Sequence, residues 1–180
     1  METFISALGI CGGIVLVLGA ACPEGKNKRR PTRSLKNWLF AGGAVIMFIY
    51  SLMNYLLGDG SIFFAFLEGF VVIASIMMML NVPDKIDLPV ISIGGLGFVI
   101  ASLMLFEGFS TLIFVAGLIG IGLGYALQMG TVRREVALVL GSLLIAIFSF
   151  LESSWIFFWL NAFFAIFSGY YMVALLARKK

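Results

Sequence analysis

The chain has 180 residues, of which 62% are hydrophobic and only 12% charged, with a mean hydropathy of +1.11. That balance excludes a soluble globular domain, because several apolar runs reach the roughly 20 residues that a helix needs to cross a bilayer. The net charge of +3 calls for no nucleic-acid partner, and with no histidine and only two cysteines the usual zinc, haem and imidazole acid–base arrangements are excluded.

In chain order, apolar runs between polar punctuation predict seven helices. They are continuous, unlike the short alternating segments of a transmembrane barrel. The first covers about 4–22. Its start, "METFISALG", has an acidic flank and no small-residue cleavage site, so it reads as a retained span and not a signal peptide. Cys11 and Cys22 lie on it about 16 Å apart, too far for a disulfide. The connection "PEGKNKRRPTRSLK" follows, with six Lys and Arg in 26–36. The second helix, about 37–57, ends among Tyr50, Asn54 and Tyr55. The third, 61–80, carries Glu68 inside "IFFAFLEGFVVIAS". The fourth, 88–106, has no charged residue in "LPVISIGGLGFVIASLML". The fifth, 109–128, holds "AGLIGIGLG" and closes in "YALQMG"; the sixth and seventh cover 135–151 and 154–177. The nine methionines read as adaptable packing and not as metal ligands. The four prolines, Pro23, Pro31, Pro83 and Pro89, fall at helix ends or in connections, where a missing N–H does no harm.

Lys and Arg occupy alternate connections: the first, Lys85 in the third, Arg133 and Arg134 in the fifth, and "RKK" at the C-terminus. By the positive-inside rule the N-terminus lies outside and the C-terminus in the cytoplasm. The expected setting is the cytoplasmic membrane of a prokaryote. Glu2, Asp59, Glu107 and Glu152 then lie outside.

Self-comparison reveals a repeat. "SIFFAFLEGFVVIAS" (61–75) aligns without gaps with "SWIFFWLNAFFAIFS" (154–168), agreeing at six of fifteen positions. Helix 2 matches helix 6 through Gly43/Gly141, Ser51/Ser149 and Lys36/Arg134, and helix 1 matches helix 5 through Gly12/Gly117 and "LGAA" (18–21) against "LGYA" (123–126). Two three-helix units can share an orientation only if one extra span returns the chain, and helix 4 is that span. The expected fold class is an all-α integral membrane protein of seven transmembrane helices, with two parallel three-helix bundles joined by a linker helix. Its parts are 1–80, 81–108 and 109–180. A second partition takes the hairpins "GDGSIFF", "FEGFSTLIF" and "LESSWIFF" as three repeats after a lone first helix.

Seven spans in a 3+1+3 order over 180 residues resemble the SWEET and PQ-loop transporter superfamily, which includes the PnuC vitamin-precursor transporters and the KDEL receptors. In residues the resemblance rests mainly on 125–172, which looks like a SWEET second repeat. It implies that Gln128 stands near the PQ-loop glutamine, that Asn161 falls at the asparagine lining the solute site, and that Glu68 takes the partner position. The family's proline hinges are absent from helices 1 and 5, where glycine series stand instead.

Glu68 and Asn161 each lie seven residues after the serine that opens their helix, so both sit about 10 Å deep. A carboxylate at that depth costs several kcal/mol unless it is protonated, paired or wetted. No intramembrane Lys or Arg exists to pair with it. Three readings are open: a group that binds solute or exchanges a proton, a protonated group bonded to a neighbouring helix, or a side chain that snorkels to the surface. Trp159, Tyr50, Asn54 and Ser149 are further candidates for contact with solute, and Tyr125 and Gln128 for an inner gate.

The function expected is a small carrier, not an enzyme, moving a small polar solute (a sugar, nucleoside or vitamin precursor) by alternating access, with proton linkage open. Its partners are membrane lipid and the solute, with no nucleic acid and no cofactor or metal, in a monomer or weak homo-oligomer. The alternative is a non-transporting receptor or assembly subunit that uses Glu68 for helix–helix contact.

Overall fold

A computed structural model describes residues 2–22, 32, 34–58, 60–80, 82–128 and 130–177. Lys26, Lys28, Arg29, Arg30, Arg33 and the terminal Arg178, Lys179 and Lys180, together with Pro23, Pro31 and Asp59, lie outside the described residues.

Seven helices account for nearly all the described chain: α1 (Glu2–Ala21), α2 (Leu35–Leu56), α3 (Ile62–Leu80), α4 (Asp84–Met104), α5 (Phe109–Ala126), α6 (Val132–Leu151) and α7 (Trp155–Ala177). Each is long and apolar enough to cross a membrane, and no strand occurs among the described residues. A spanning helix satisfies its backbone internally, which is what the hydrocarbon region demands. The described chain is thus all-helical, and its seven helices have the length and apolarity that multi-pass membrane proteins need.

Local chemistry sets the helix ends. Ser34 caps α2 by accepting from the Asn37 amide at 3.5 Å, and Thr131 caps α6 by accepting from the Arg134 amide at 3.4 Å. Both helices finish with a left-handed residue, Gly58 (φ 90°) after α2 and Ser153 (φ 55°) after α6. The amides of Gly58 and Ser153 return to the Tyr55 and Phe150 carbonyls, which the helix would otherwise leave without donors.

One boundary differs from the sequence expectation. Pro89 lies in the second turn of α4, not at its start. The helix starts instead at Asp84, because the Pro83 carbonyl accepts from the amides of Ile86 and Asp87 and nucleates the first turn. Proline there removes one hydrogen bond, to the Lys85 carbonyl, and is tolerated near a helix start more readily than deeper in.

The chain divides into two compact units, Met1–Pro89 and Val90–Lys180, with the division falling inside α4. In the first unit α2 packs against both α1 and α3; in the second α6 packs against both α5 and α7. Without water to drive helices together in lipid, close packing of small residues holds such pairs. Gly43 of α2 receives Leu16 of α1, Gly12 receives Met47, and Gly19 lies on the backbone of Leu39 and Phe40. In the second unit Gly141 of α6 receives Ile121 of α5, Gly117 receives Ile145, and Gly124 receives Leu138. These are matched positions in the sequence alignment of helix 1 with 5 and helix 2 with 6. A fourth pair follows the same register: the Tyr50 ring lies on Gly9, and the Phe148 ring lies 5.0 Å from that of Phe114.

Candidate functional site

α3 is apolar on every side, and its buried residues include Phe63, Phe64, Leu67, Phe70, Val71 and Ala74. Glu68 lies among them, one or two turns from the helix start, with 2% of its surface exposed. Its neighbours at i−4 and i+3, Phe64 and Val71, offer no donor. The helix cannot help either, since every N–H in its middle already points to the carbonyl four residues back. An ionised carboxylate is acceptor-only, with about four lone-pair sites to fill. Glu68 Oε2 is buried and has no hydrogen-bond partner among the described residues.

Other buried polar side chains in these helices differ in kind. Ser75 Oγ donates to the Val71 carbonyl at 2.7 Å, Ser51 Oγ to Phe48 at 2.9 Å, and Ser149 Oγ to Ile145 at 2.7 Å. Asn161, 3% exposed on α7, donates through Nδ2 to the Phe157 carbonyl at 2.9 Å. A hydroxyl or amide can turn back onto its own helix because it carries a proton to give. A carboxylate cannot. The matched positions Glu68 and Asn161 are therefore both buried, but only Asn161 meets a polar need locally.

The remaining candidates fall in varied places. Tyr50 is buried on α2 with its ring against Gly9. Asn54 lies one turn further on, where its carbonyl accepts from the Gly60 amide at 3.2 Å and its side-chain amide lies beside Gly60. Tyr50, Asn54 and Glu68 thus belong to one packed helix pair, α2 and α3. Ser149, Trp159 and Asn161 belong to another, α6 and α7. Trp159 is 57% exposed, stacked edge-on with Phe158 at 5.1 Å and near Phe163 at 6.3 Å. It lies two positions from Asn161, on nearly the opposite side of the helix. Tyr125 is half-buried at the end of α5; Gln128 is exposed, and its carbonyl accepts from Thr131 Oγ1 at 2.8 Å beside the α6 cap.

Sequence reasoning missed one polar cluster. Arg134 donates through Nε to the Gly124 carbonyl at 3.2 Å and through Nη1 to Glu135 Oε1 at 3.1 Å. It ties the last turn of α5 to the first of α6. The pairing of a basic and an acidic neighbour, Arg134 and Glu135, with a glycine at the facing helix end was the available signal. Among the described residues no three His, Cys, Asp or Glu side chains gather as metal ligands.

Comparison with known protein families, with curated proteins and with solved structures finds no match for this chain.

Proposed function

We propose that the chain is a small membrane carrier that moves a small polar solute by alternating access, with Glu68 as a solute-binding group and Asn161 as its counterpart in the second unit. The observation that carries this reading is the buried Glu68 oxygen with no hydrogen-bond partner. Burying such a group costs free energy that a purely structural side chain would not be kept to spend, and intramembrane acids typically mark solute or proton paths. The matched packing of α1 on α2 and α5 on α6 supports a carrier built from repeats, as does the resemblance to SWEET and PQ-loop transporters. In this reading the N-terminus faces outside and the C-terminus the cytoplasm of a prokaryotic cell, with helix 4 as linker. Trp159 enters it as a residue at the lipid or membrane-interface side.

The alternative of a receptor or assembly subunit would have Glu68 contact a helix of another protein. A side chain 2% exposed within the single chain gives such a helix little to touch, which favours the carrier.

Uptake into liposomes containing the purified protein tests the proposal, using labelled sugars, nucleosides, vitamin precursors and amino acids. Uptake above that of empty liposomes, lost in Glu68→Gln, is expected. Absence of uptake for every class would overturn it.

A further inference from the structure

Resting on the reading of Glu68 as a solute-binding group, we infer that the solute carries a protonated amine, and that its N–H donors fill the Glu68 carboxylate. Three observations lead there. Glu68 Oε2 needs a donor that neither its own helix nor any described neighbour supplies. Among the described residues no basic side chain lies inside a helix beyond its first turn: Lys36, Lys85, Arg133 and Arg134 all stand at helix starts, and the chain has no histidine. The described residues therefore bring no counter-charge to this depth.

The third observation is the contrast with the other polar side chains. Ser51, Ser75, Ser149 and Asn161 each donate to a carbonyl of their own helix. A side chain that serves only its own helix would be of that kind. At the position that matches Asn161 in the sequence repeat, the chain instead carries an acid. A neutral hydroxyl would supply one donor and leave the negative charge desolvated and uncompensated. Protonating the acid removes the charge and lets its O–H donate to the carbonyl one turn back, as the serines do, but leaves the other carboxyl oxygen without a donor. An ammonium supplies the charge and up to three donors together, in charge-assisted bonds roughly twice as strong as neutral ones.

The test is thermal unfolding of the purified full chain with ethanolamine, glucosamine and putrescine, each beside its hydroxyl counterpart: ethylene glycol, glucose and butanediol. A ligand that binds only the folded state raises Tm. At least one amine is expected to raise Tm by several degrees where its hydroxyl counterpart does not. Glu68→Gln, which keeps the shape and removes the charge, abolishes the shift; Glu68→Asp keeps part of it. An equal shift from the hydroxyl counterpart, a shift that survives in Glu68→Gln, or no shift from any amine overturns the inference. The two readings fail separately. A shift from hydroxyl compounds that depends on Glu68, or silence of all six compounds in a protein that still takes up solute into liposomes, removes the amine alone. Silence together with no uptake removes the carrier as well.

Discussion

Gly141 of α6 lies so close to Ile121 of α5 that a methyl group built on it would stand 2.5 Å from the Ile121 amide nitrogen. The facing atom is backbone and cannot swing aside. The matched glycine of the first unit, Gly43, would bring its methyl to 2.8 Å from the Leu16 nitrogen. Both helix pairs therefore depend on a glycine at the same register.

Gly43→Ala and Gly141→Ala are each expected to destabilise the protein by about 1–3 kcal/mol, the usual range for overpacking. Gly42→Ala is the control, since a Cβ there meets nothing within 4 Å. It should be neutral or slightly stabilising, because alanine favours a helix over glycine by up to about 1 kcal/mol. Thermal unfolding of the three variants in one detergent checks the contrast.

The turn after α6 is a second place where one substitution has a clear sign. Ser153 adopts φ 55°, where the matching turn after α2 uses Gly58. A left-handed conformation costs a residue with a Cβ roughly 1–2 kcal/mol, and glycine nothing. Ser153→Gly should raise Tm modestly, with part of the gain lost to the greater freedom of glycine in the unfolded chain.

Arg134 spans the α5–α6 turn with two bonds from one guanidinium. Its side chain is 16% exposed and that of Glu135 7%, so the ion pair is largely shielded. Arg134→Ala removes the donor to Gly124 and the cation beside Glu135, and is expected to cost about 3 kcal/mol. Arg134→Lys restores the charge without the planar fork and should recover only part of that. Unfolding of the pair of variants separates charge from geometry.

Trp155 and Trp159 are both more than half exposed, beside Phe150, Phe158 and Phe163. In a bilayer such a face meets lipid or the membrane interface. Variants that lack Trp38 and retain only one of these tryptophans should lose most of their fluorescence in vesicles of brominated lipid, whereas a water-soluble quencher should reach Trp159 poorly.

Much of this arrangement is legible in the sequence because a bilayer leaves few options. Twenty-residue apolar runs have to be helices, and all seven appear with their ends shifted by a few residues. The largest shift, at α4, arises because Pro89 reads as a boundary while Pro83 supplies the turn that starts the helix. The pairing of Gly43 with Gly141 and of Gly12 with Gly117 was also legible, because small residues at a fixed register carry helix packing in membranes. Depth alone left Glu68 open between solute contact, a bond to a neighbouring helix and snorkelling to the surface, and its burial emerges only from the packing around α3. That Asn161 satisfies its own amide was not legible, since an i−4 bond depends on a rotamer that packing selects. The outward face of Trp159 was available from its two-residue spacing to Asn161, which places them on opposite sides of one helix. The link from Arg134 to Gly124 joins positions ten apart across a turn, and only the angle between two helices decides whether it forms.

The central claim is that Glu68 is kept for binding and not for the fold, and the stability of Glu68→Leu tests it most directly. Leucine has a similar volume and no polar atom to satisfy. Removing a buried oxygen that lacks a partner is worth about 1–3 kcal/mol to the folded state. The solute-binding account predicts that Glu68→Leu unfolds at a higher temperature than the unsubstituted protein, measured without solute, while uptake into liposomes is lost. A lower unfolding temperature would show that the carboxyl group holds helices together, and would contradict it.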